Sequence, residues 1–400
     1  MPPTLAPAAP TYLLCPNIFG FKGGLQVYSR FLLEALQNLS PQTERHVFLK
    51  YDRQVPEAIA RCPQTHFHCF GRWSHRMQSV LLGASVVLRG LGQPPQRLIA
   101  THLNYGPVCQ GFKRLTGSPY WLVVHGLEGW ALDHPQRQAA LREAERVLAV
   151  SHYTRDRLLA EQDLDPEQVI VLPNTFDASR FTLGPKPVHL LQRYGLRPEQ
   201  PVILTVSRLG RTTAHQKGYR QVLQALVQVR QQIPDLHYFL VGKGDDQPAA
   251  QALVNRLGLQ DCVTLTGFVP EEELPAYYQL CDLFALPSCI EGFGIVYLEA
   301  LASGKPVLAG DRDGAAEPLQ QGRLGCLVNP EDRGAIAQGL RQLLQKTYPN
   351  PLVYQPQVLR QQAIARFEFA RFQQRLGQLL TASAPQTNGG LNHVTKCVEL

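Results

Sequence analysis

The chain has 400 residues, 44% of them apolar and 18% charged, with a formal net charge of +7 at pH 7. That balance excludes a disordered, collagenous or disulfide-stapled chain, and the length exceeds one ordinary core, so two domains are expected. The longest apolar run, residues 80–88, falls far short of the ~20 residues a membrane crossing needs.

Nine cysteines, odd in number and scattered, read as reduced thiols of a cytoplasmic chain. Residues 1–10 lack a basic start and an apolar segment, and read as a loose leader. Charge is uneven: residues 1–114 carry twelve Lys or Arg against four Asp or Glu, and residues 58–127 hold no acid. Such a face suits an anionic acceptor or an anionic membrane surface, although Arg-rich surfaces are also common. No nucleic-acid partner is expected.

In chain order, residues 12–15 read as a strand and 25–39 as an amphipathic helix. Gly23 and Gly24 sit at that helix's start, where a glycine pair also serves any tight strand-to-helix turn. Residues 46–51, 65–70 and 97–100 read as strands, and 73–91 as a basic, apolar helix. If the acceptor is a lipid, Trp73, Val80, Leu81 and Leu82 would dock there while Arg72, Arg76 and Arg89 meet headgroups. Cys62, His66, His68 and Cys69 lie close in sequence, but they alternate as a buried strand does and complete no zinc spacing. Residues 120–124 form a strand ending at His125. A side chain at the carboxyl end of a parallel strand faces the ligand crevice, although a satisfied loop histidine fits the position as well.

A strand over 146–150, a helix over 151–161 and a strand over 169–173 close a first domain, residues 11–182. The proline-rich stretch 183–200 reads as a linker, and residues 201–350 as a second domain. There a strand over 201–206 ends at Arg208, and Lys217-Gly218 opens the next helix. Two cations converging at such a point are what a leaving diphosphate needs, and surface cations are also commonplace. A strand over 237–241 leads into Gly242-Lys243-Gly244-Asp245-Asp246, and one over 263–266 into Gly267-Phe268-Val269-Pro270. The aspartates at 245–246 and at 311 and 313 read as solvated loops rather than metal ligands. Residues 310–330 complete a sheet edge, 333–345 a helix, 351–380 crossover helices, and 381–400 a frayed tail.

The densest signal lies in residues 284–319: a strand, the turn Glu291-Gly292-Phe293-Gly294, a helix starting at Ile295 and ending near 303–304, and a second strand. Gly292 and Gly294 let backbone approach a ligand closely, and the helix start offers free N–H groups and a positive dipole end to an anion. Glu291 and Glu299 flank this cradle. The combination suits a ligand with phosphates at its centre and hydroxyls at both ends, although strand–turn–helix units occur in every doubly wound domain.

Glu291 and Glu299, seven residues apart within EGFGIVYLEALASGKPV, resemble the E-x7-E signature of the retaining glycosyltransferases of family 4. Further segments are similar in order along the chain, including VIVLPNTFDASRF with Asn174 and Asp177. The resemblance implies an α/β fold of two Rossmann-like domains facing across a cleft (GT-B), with a C-terminal helix returning to the first domain. It implies a nucleotide-sugar donor held mainly by the second domain, and an acceptor that is a sugar, a glycoside or a lipid. By the same resemblance no metal or other cofactor is needed. Arg208 and Lys217 would neutralise the leaving diphosphate, and His125 would orient the sugar. Glu291, with the N–H groups of Gly292, Phe293, Gly294 and Ile295, would hold the sugar hydroxyls, and Glu299 the ribose. Gly23 and Gly24 would line the cleft near the donor phosphate, and Phe268 and Val269 would flank the base through their backbone. Two alternatives stay open, a nucleotide-sugar epimerase of the same fold and a catalytically silent sugar-nucleotide-binding scaffold.

Overall fold

The computed structural model describes residues 9–20, 23–60 and 64–382. Most of the expected leader and tail, and Cys62, therefore lie outside the described residues. Thirteen strands occur within them, split between two sheets. The first holds β1 (Thr11–Cys15), β2 (Arg45–Leu49), β3 (Thr65–Cys69), β4 (Arg97–Ala100), β5 (Tyr120–Val124), β6 (Arg146–Ala149) and β7 (Val169–Val171). The second holds β8 (Val202–Val206), β9 (His237–Val241), β10 (Val263–Gly267), β11 (Leu283–Leu286), β12 (Val307–Gly310) and β13 (Cys326–Val328).

The orders are β3-β2-β1-β4-β5-β6-β7 and β10-β9-β8-β11-β12-β13, and every pairing is parallel. Central strands such as Tyr120–Val124 are buried at all five positions, as helices on both faces of a parallel sheet require. In each sheet the winding reverses once, between β1 and β4 and between β8 and β11. Loops leaving the carboxyl ends at such a switch point line a crevice; Arg208 and Glu291 follow β8 and β11 at the second switch, and His125 follows β5, one strand beyond β4.

The linker contains a helix, Val188–Tyr194, with Leu190 and Leu191 buried, and the Tyr194 hydroxyl lies 2.6 Å from that of Tyr277. The crossover helices are two, Pro356–Phe367 and Phe369–Ala382, divided where Glu368 turns extended. Residues 356–367 pack on the helix Ile295–Ala302, and residues 369–382 on the helix Gly24–Leu39. Phe369 meets Phe31 and Phe372 meets Tyr28, so the chain end returns to the first domain as expected.

At the outer edge of the first sheet, His66 and His68 are joined by His46 and Glu44, which the sequence spacing concealed. The Glu44 carboxylate lies 3.2 Å from His46 Nε2 and 3.0 Å from His66 Nε2, and His46 Nδ1 lies 3.0 Å from His68 Nε2. Among the described residues, no group of three or more His, Cys, Asp or Glu is placed to hold a metal ion. Burial, with Arg89 adding to it, depresses the His68 imidazolium to about 4. Unfolding restores the ordinary value near 6.5, so the unfolded chain takes up this proton first as pH falls. Stability from His68 is therefore complete above pH 6.5 and lost progressively as pH falls toward about 4. Melting curves between pH 7 and 4.5 should show a steeper loss for the natural protein than for His68→Phe. Parallel curves would remove His68 as a source of acid sensitivity.

Candidate active site

The second domain builds the anion-facing half. After β11 the chain turns through Gly292–Gly294 into the helix Ile295–Ala302, whose residues other than Val296 and Glu299 are buried. The turn is rigid. Gly294 has φ +86°, and a Cβ there would fall 2.3 Å from the Tyr297 ring, whose hydroxyl donates to Leu286 O at 2.8 Å. The Phe293 side chain is buried and packs edge-on against Phe367 at 5.3 Å. At residue 293, then, only the backbone N–H can serve a ligand.

Lys217 meets Glu291 with Nζ 2.7 Å from Oε1, both side chains mostly buried. The long preceding loop does not blur this register. Gln216 O accepts from Cys289 N and Ser288 Oγ, and Gly218, at φ +84°, has no room for a Cβ beside Pro287 O, 2.3 Å away. Arg208 is exposed at the end of β8. Its loop is backed by Gly242 and Gly244, where a Cβ would lie 1.9 Å from Ser207 O and Leu209 O. Those glycines thus support the Arg208 loop by close packing.

Glu299 is fixed by Tyr278, whose hydroxyl donates to Oε2 at 2.7 Å. Burial keeps that phenol protonated far above neutrality, so it remains a donor. Asp313, expected in solvent, is instead 2% exposed. Its carboxylate accepts from Glu291 N at 2.7 Å and Ala315 N at 2.9 Å. Burial, with the Glu291 carboxylate next, pushes its acid up to about 7 against those two donors. Asp246 also contradicts the solvated reading: it is buried and accepts from Tyr219 Oη at 2.6 Å and from Arg220. Both corrections share a cause, since a loop aspartate caps nearby N–H groups or pairs with a neighbouring cation more readily than it stays in water.

The first domain meets this half backbone to backbone. A Cβ on Gly292 would lie 1.7 Å from His125 O and 3.4 Å from Gly126 Cα. Thr154 Oγ1 donates to Gly292 O at 3.3 Å, Tyr153 Oη to Arg312 O at 2.8 Å, and His152 N to Glu317 Oε2 at 2.6 Å. His125 sits edge-on to Tyr28 at 5.1 Å, and its Nε2 lies 2.9 Å from Thr101 O. A carbonyl only accepts, so Nε2 carries the hydrogen and the neutral ring keeps Nδ1 as an acceptor. Burial holds the imidazolium below its ordinary value, so that neutral ring dominates at pH 7.

Gly23 caps the helix Gly24–Leu39 in an extended conformation, and a Cβ on Gly24 would meet nothing within 4 Å. Gly24 thus has room for a side chain, and the neighbouring Phe21 and Lys22 lie outside the described residues. The backbone N–H groups of Ile18, Phe19 and Gly20 all donate to the buried Asp52 carboxylate, which shapes this loop and was not foreseen. Beside it a cavity of about 310 Å³ opens at the ends of β1, β2 and β4, with Asn17, Gln26, Lys50, Tyr51, His102 and Asn104 among its lining. At the far edge of the second sheet Phe268 is exposed, with Lys243 Nζ 4.9 Å from its ring centre, while Val269 packs on the core.

The structure therefore brings together Lys217, Glu291, Gly292, Gly294 and His125, and holds Glu299 on the same helix. Asp313, Tyr278 and Thr154 are the supports that sequence reasoning missed. Only Asp313 had a local signal, an aspartate directly before a glycine. Gly292→Ala should abolish turnover and lower the melting temperature, because a methyl cannot fit against His125 O. Gly83→Ala, with open space at its Cβ, is the control and should match or slightly exceed natural stability. Natural turnover in Gly292→Ala, assayed beside that control, would show that the two backbones do not meet in the working enzyme.

Comparison with known proteins follows the same division of the chain. The family description "Glycosyltransferase Family 4" matches residues 22–180, and "Glycosyl transferases group 1" matches residues 190–361. A GDP-mannose-dependent alpha-(1-6)-phosphatidylinositol monomannoside mannosyltransferase of Mycolicibacterium smegmatis is 33% identical over 68% of this chain and 68% of its own length. A 2-deoxystreptamine glucosyltransferase of Streptomyces kanamyceticus is 30% identical over 64% of this chain and 70% of its own. Among solved structures, HepE of Anabaena in complex with UDP superposes with a TM-score of 0.74 at 22% identity, over 93% of this chain and all of that one. Sucrose-phosphate synthase of Thermosynechococcus elongatus does so at 0.78 and 22%, over 94% of this chain and all of that one. With both halves matched and two parallel-sheet domains in place, the chain belongs to the group 1 glycosyltransferases of family 4 and has the GT-B fold.

Proposed function

We propose that this glycosyltransferase is retaining and metal-independent, and moves a hexose from a nucleotide-sugar donor to a sugar, glycoside or lipid acceptor. The observation that carries the reading is Lys217 Nζ held 2.7 Å from Glu291 at the mouth of the Gly292–Gly294 turn. An ammonium has three donors, so one bond to Glu291 positions the cation and leaves two for phosphate oxygens. Arg208 stands at the neighbouring strand end as the second cation. Together with the helix N-terminus they stabilise the charge that grows on the diphosphate as the C1–oxygen bond breaks.

The acceptor hydroxyl attacks C1 from the face the diphosphate leaves, and its proton passes to a phosphate oxygen. The oxocarbenium-like charge on the sugar is thus matched by the adjacent diphosphate, and no covalent nucleophile is invoked. His125 Nδ1 accepts from a sugar hydroxyl. Glu291 and the N–H groups of residues 292–295 hold others. Glu299, anchored by Tyr278, accepts from the ribose. Phe268 and Val269 flank the base, Gly23 and Gly24 border the donor phosphate, and the acceptor enters the cavity lined by Asn17, Lys50 and His102.

The described cysteines are all free thiols, which suits the cytoplasm. Relatives named for a GDP-mannose-dependent reaction and for glucosyl transfer support a hexose donor in general, not one base. A thermal-shift panel of GDP-mannose, UDP-glucose and the free diphosphates should find one nucleotide that raises the melting temperature by roughly 5 °C at a hundredfold excess over its dissociation constant. No shift with any of them would defeat the donor assignment.

Arg208→Ala and Lys217→Ala each remove a partner of charge that develops only in the transition state. Turnover should fall about 100-fold or more in either, on the order of 3 kcal/mol. Two variants within twofold of the natural rate would leave the diphosphate without its assigned cations. Because those cations supply the neutralisation, EDTA should leave the rate unchanged. A loss restored by manganese or magnesium would overturn metal independence.

A further inference from the structure

The helix His75–Gly92 has two apolar faces and only one of them is covered. Gln78, Leu82, Val86 and Gly90 are buried, Gly90 so tightly that a Cβ would fall 2.1 Å from the Phe112 ring. On the other side Met77 is 43% exposed, Val80 63%, Leu88 72% and Leu91 60%. With Ala84 between them and about 100° per residue, these positions fall within an arc of about 80° along nearly the whole helix. Trp73, 56% exposed, extends the row past the helix start. Single exposed apolar residues are ordinary, whereas a continuous row of them marks a contact surface. Leu82, expected on the docking face, is buried on the other side of the helix, because it lies about 200°, just over half a turn, from Val80.

Charge selects the partner. Arg76 borders the row and Arg72 adjoins Trp73, both exposed and neither with an ion pair among the described residues; Arg89, expected at the headgroups, lies about 100° further round the helix than Leu88 and faces His46 and His68 instead. Residues 58–127 contain no acid, so neither this helix nor the packed helix Gly106–Thr116 offers a carboxylate. A second copy docking through the same face would set arginines against arginines. A bilayer with anionic headgroups satisfies both features: the row enters the acyl boundary and the arginines meet phosphates.

We infer that the row Trp73, Met77, Val80, Leu88 and Leu91, with Arg72 and Arg76, holds the protein peripherally on an anionic phospholipid surface. The inference stands apart from the transferase chemistry. Its test is co-sedimentation of the full chain with phosphatidylcholine vesicles, with and without phosphatidylglycerol, at low and moderate salt. Binding should require the anionic lipid and weaken as salt rises. The double change Arg72→Gln, Arg76→Gln should weaken it on the order of 25-fold, about fivefold per arginine. The pair Val80→Glu, Leu88→Glu should abolish it while melting temperature and turnover on a soluble acceptor stay natural. No binding to anionic vesicles at low salt, equal binding to neutral ones, or full binding by the glutamate pair would each overturn the inference. So would a dimer in sedimentation velocity that the glutamate pair dissolves, since that would assign the row to a second copy.

Discussion

The site depends on one close approach, that of Gly292 to the chain at His125 and Gly126. Backbone from the second domain lies against backbone from the first with no space for a methyl group. Gly314 is equally tight against Gly292 O, with a Cβ position 2.2 Å away, so Gly292 is enclosed from two directions. Three strand-end loops, after β5, β11 and β12, converge on this point. His125 is thereby brought to the turn that Glu291 begins, and neither domain alone contains the combination.

Charge at this junction is costly, and the structure shows how the cost is offset. Burying an ionised carboxylate costs several kcal/mol unless it is paired and hydrogen-bonded. Glu291 has Lys217 as its counter-ion. Asp313 has no cation partner among the described residues but accepts two backbone N–H bonds. Those bonds fall short of compensating burial beside another carboxylate, and its acid rises to about 7. Through Asp313 the loop after β12 holds the Glu291 backbone in place. Folding tolerates an unfavourable carboxyl at the position where the turn must be fixed.

Sequence made the repeating architecture and the Glu291–Glu299 helix legible because both depend on local pattern. Apolar strands alternate with amphipathic helices, and glycines mark the turns. The same local pattern led to errors wherever a tertiary partner decides. Asp246 looks like a solvated loop residue until Tyr219 and Arg220 are brought to it. His46 and Glu44 are some twenty residues from His66 and His68, and only parallel pairing of β2 with β3 sets them side by side. Lys217 was legible as a residue type, but its contact with Glu291 rests on Gly218 packing against Pro287, a fit no spacing reveals.

The helix Ile295–Ala302 is registered to the first domain at both ends, which limits how the two domains can move. At its start stand the Gly292 contact and the Phe293–Phe367 ring pair. At its end Arg360 donates to Ala302 O at 2.8 Å and also to Phe181 O and Ala178 O, in the last segment of the first domain. Charge-assisted bonds to three carbonyls are worth more than a surface ion pair. The start of that helix is held to the first domain by the fit at Gly292, by the long Thr154–Gly292 bond at 3.3 Å, and by shorter bonds from Tyr153 to Arg312 O at 2.8 Å and from His152 N to Glu317 at 2.6 Å. Glu291, Glu299 and Lys217 all belong to the second domain, so their arrangement is set within one domain. His125 joins them only through the way the two domains meet, and that meeting is fixed by backbone fit at one end of the helix and by Arg360 at the other.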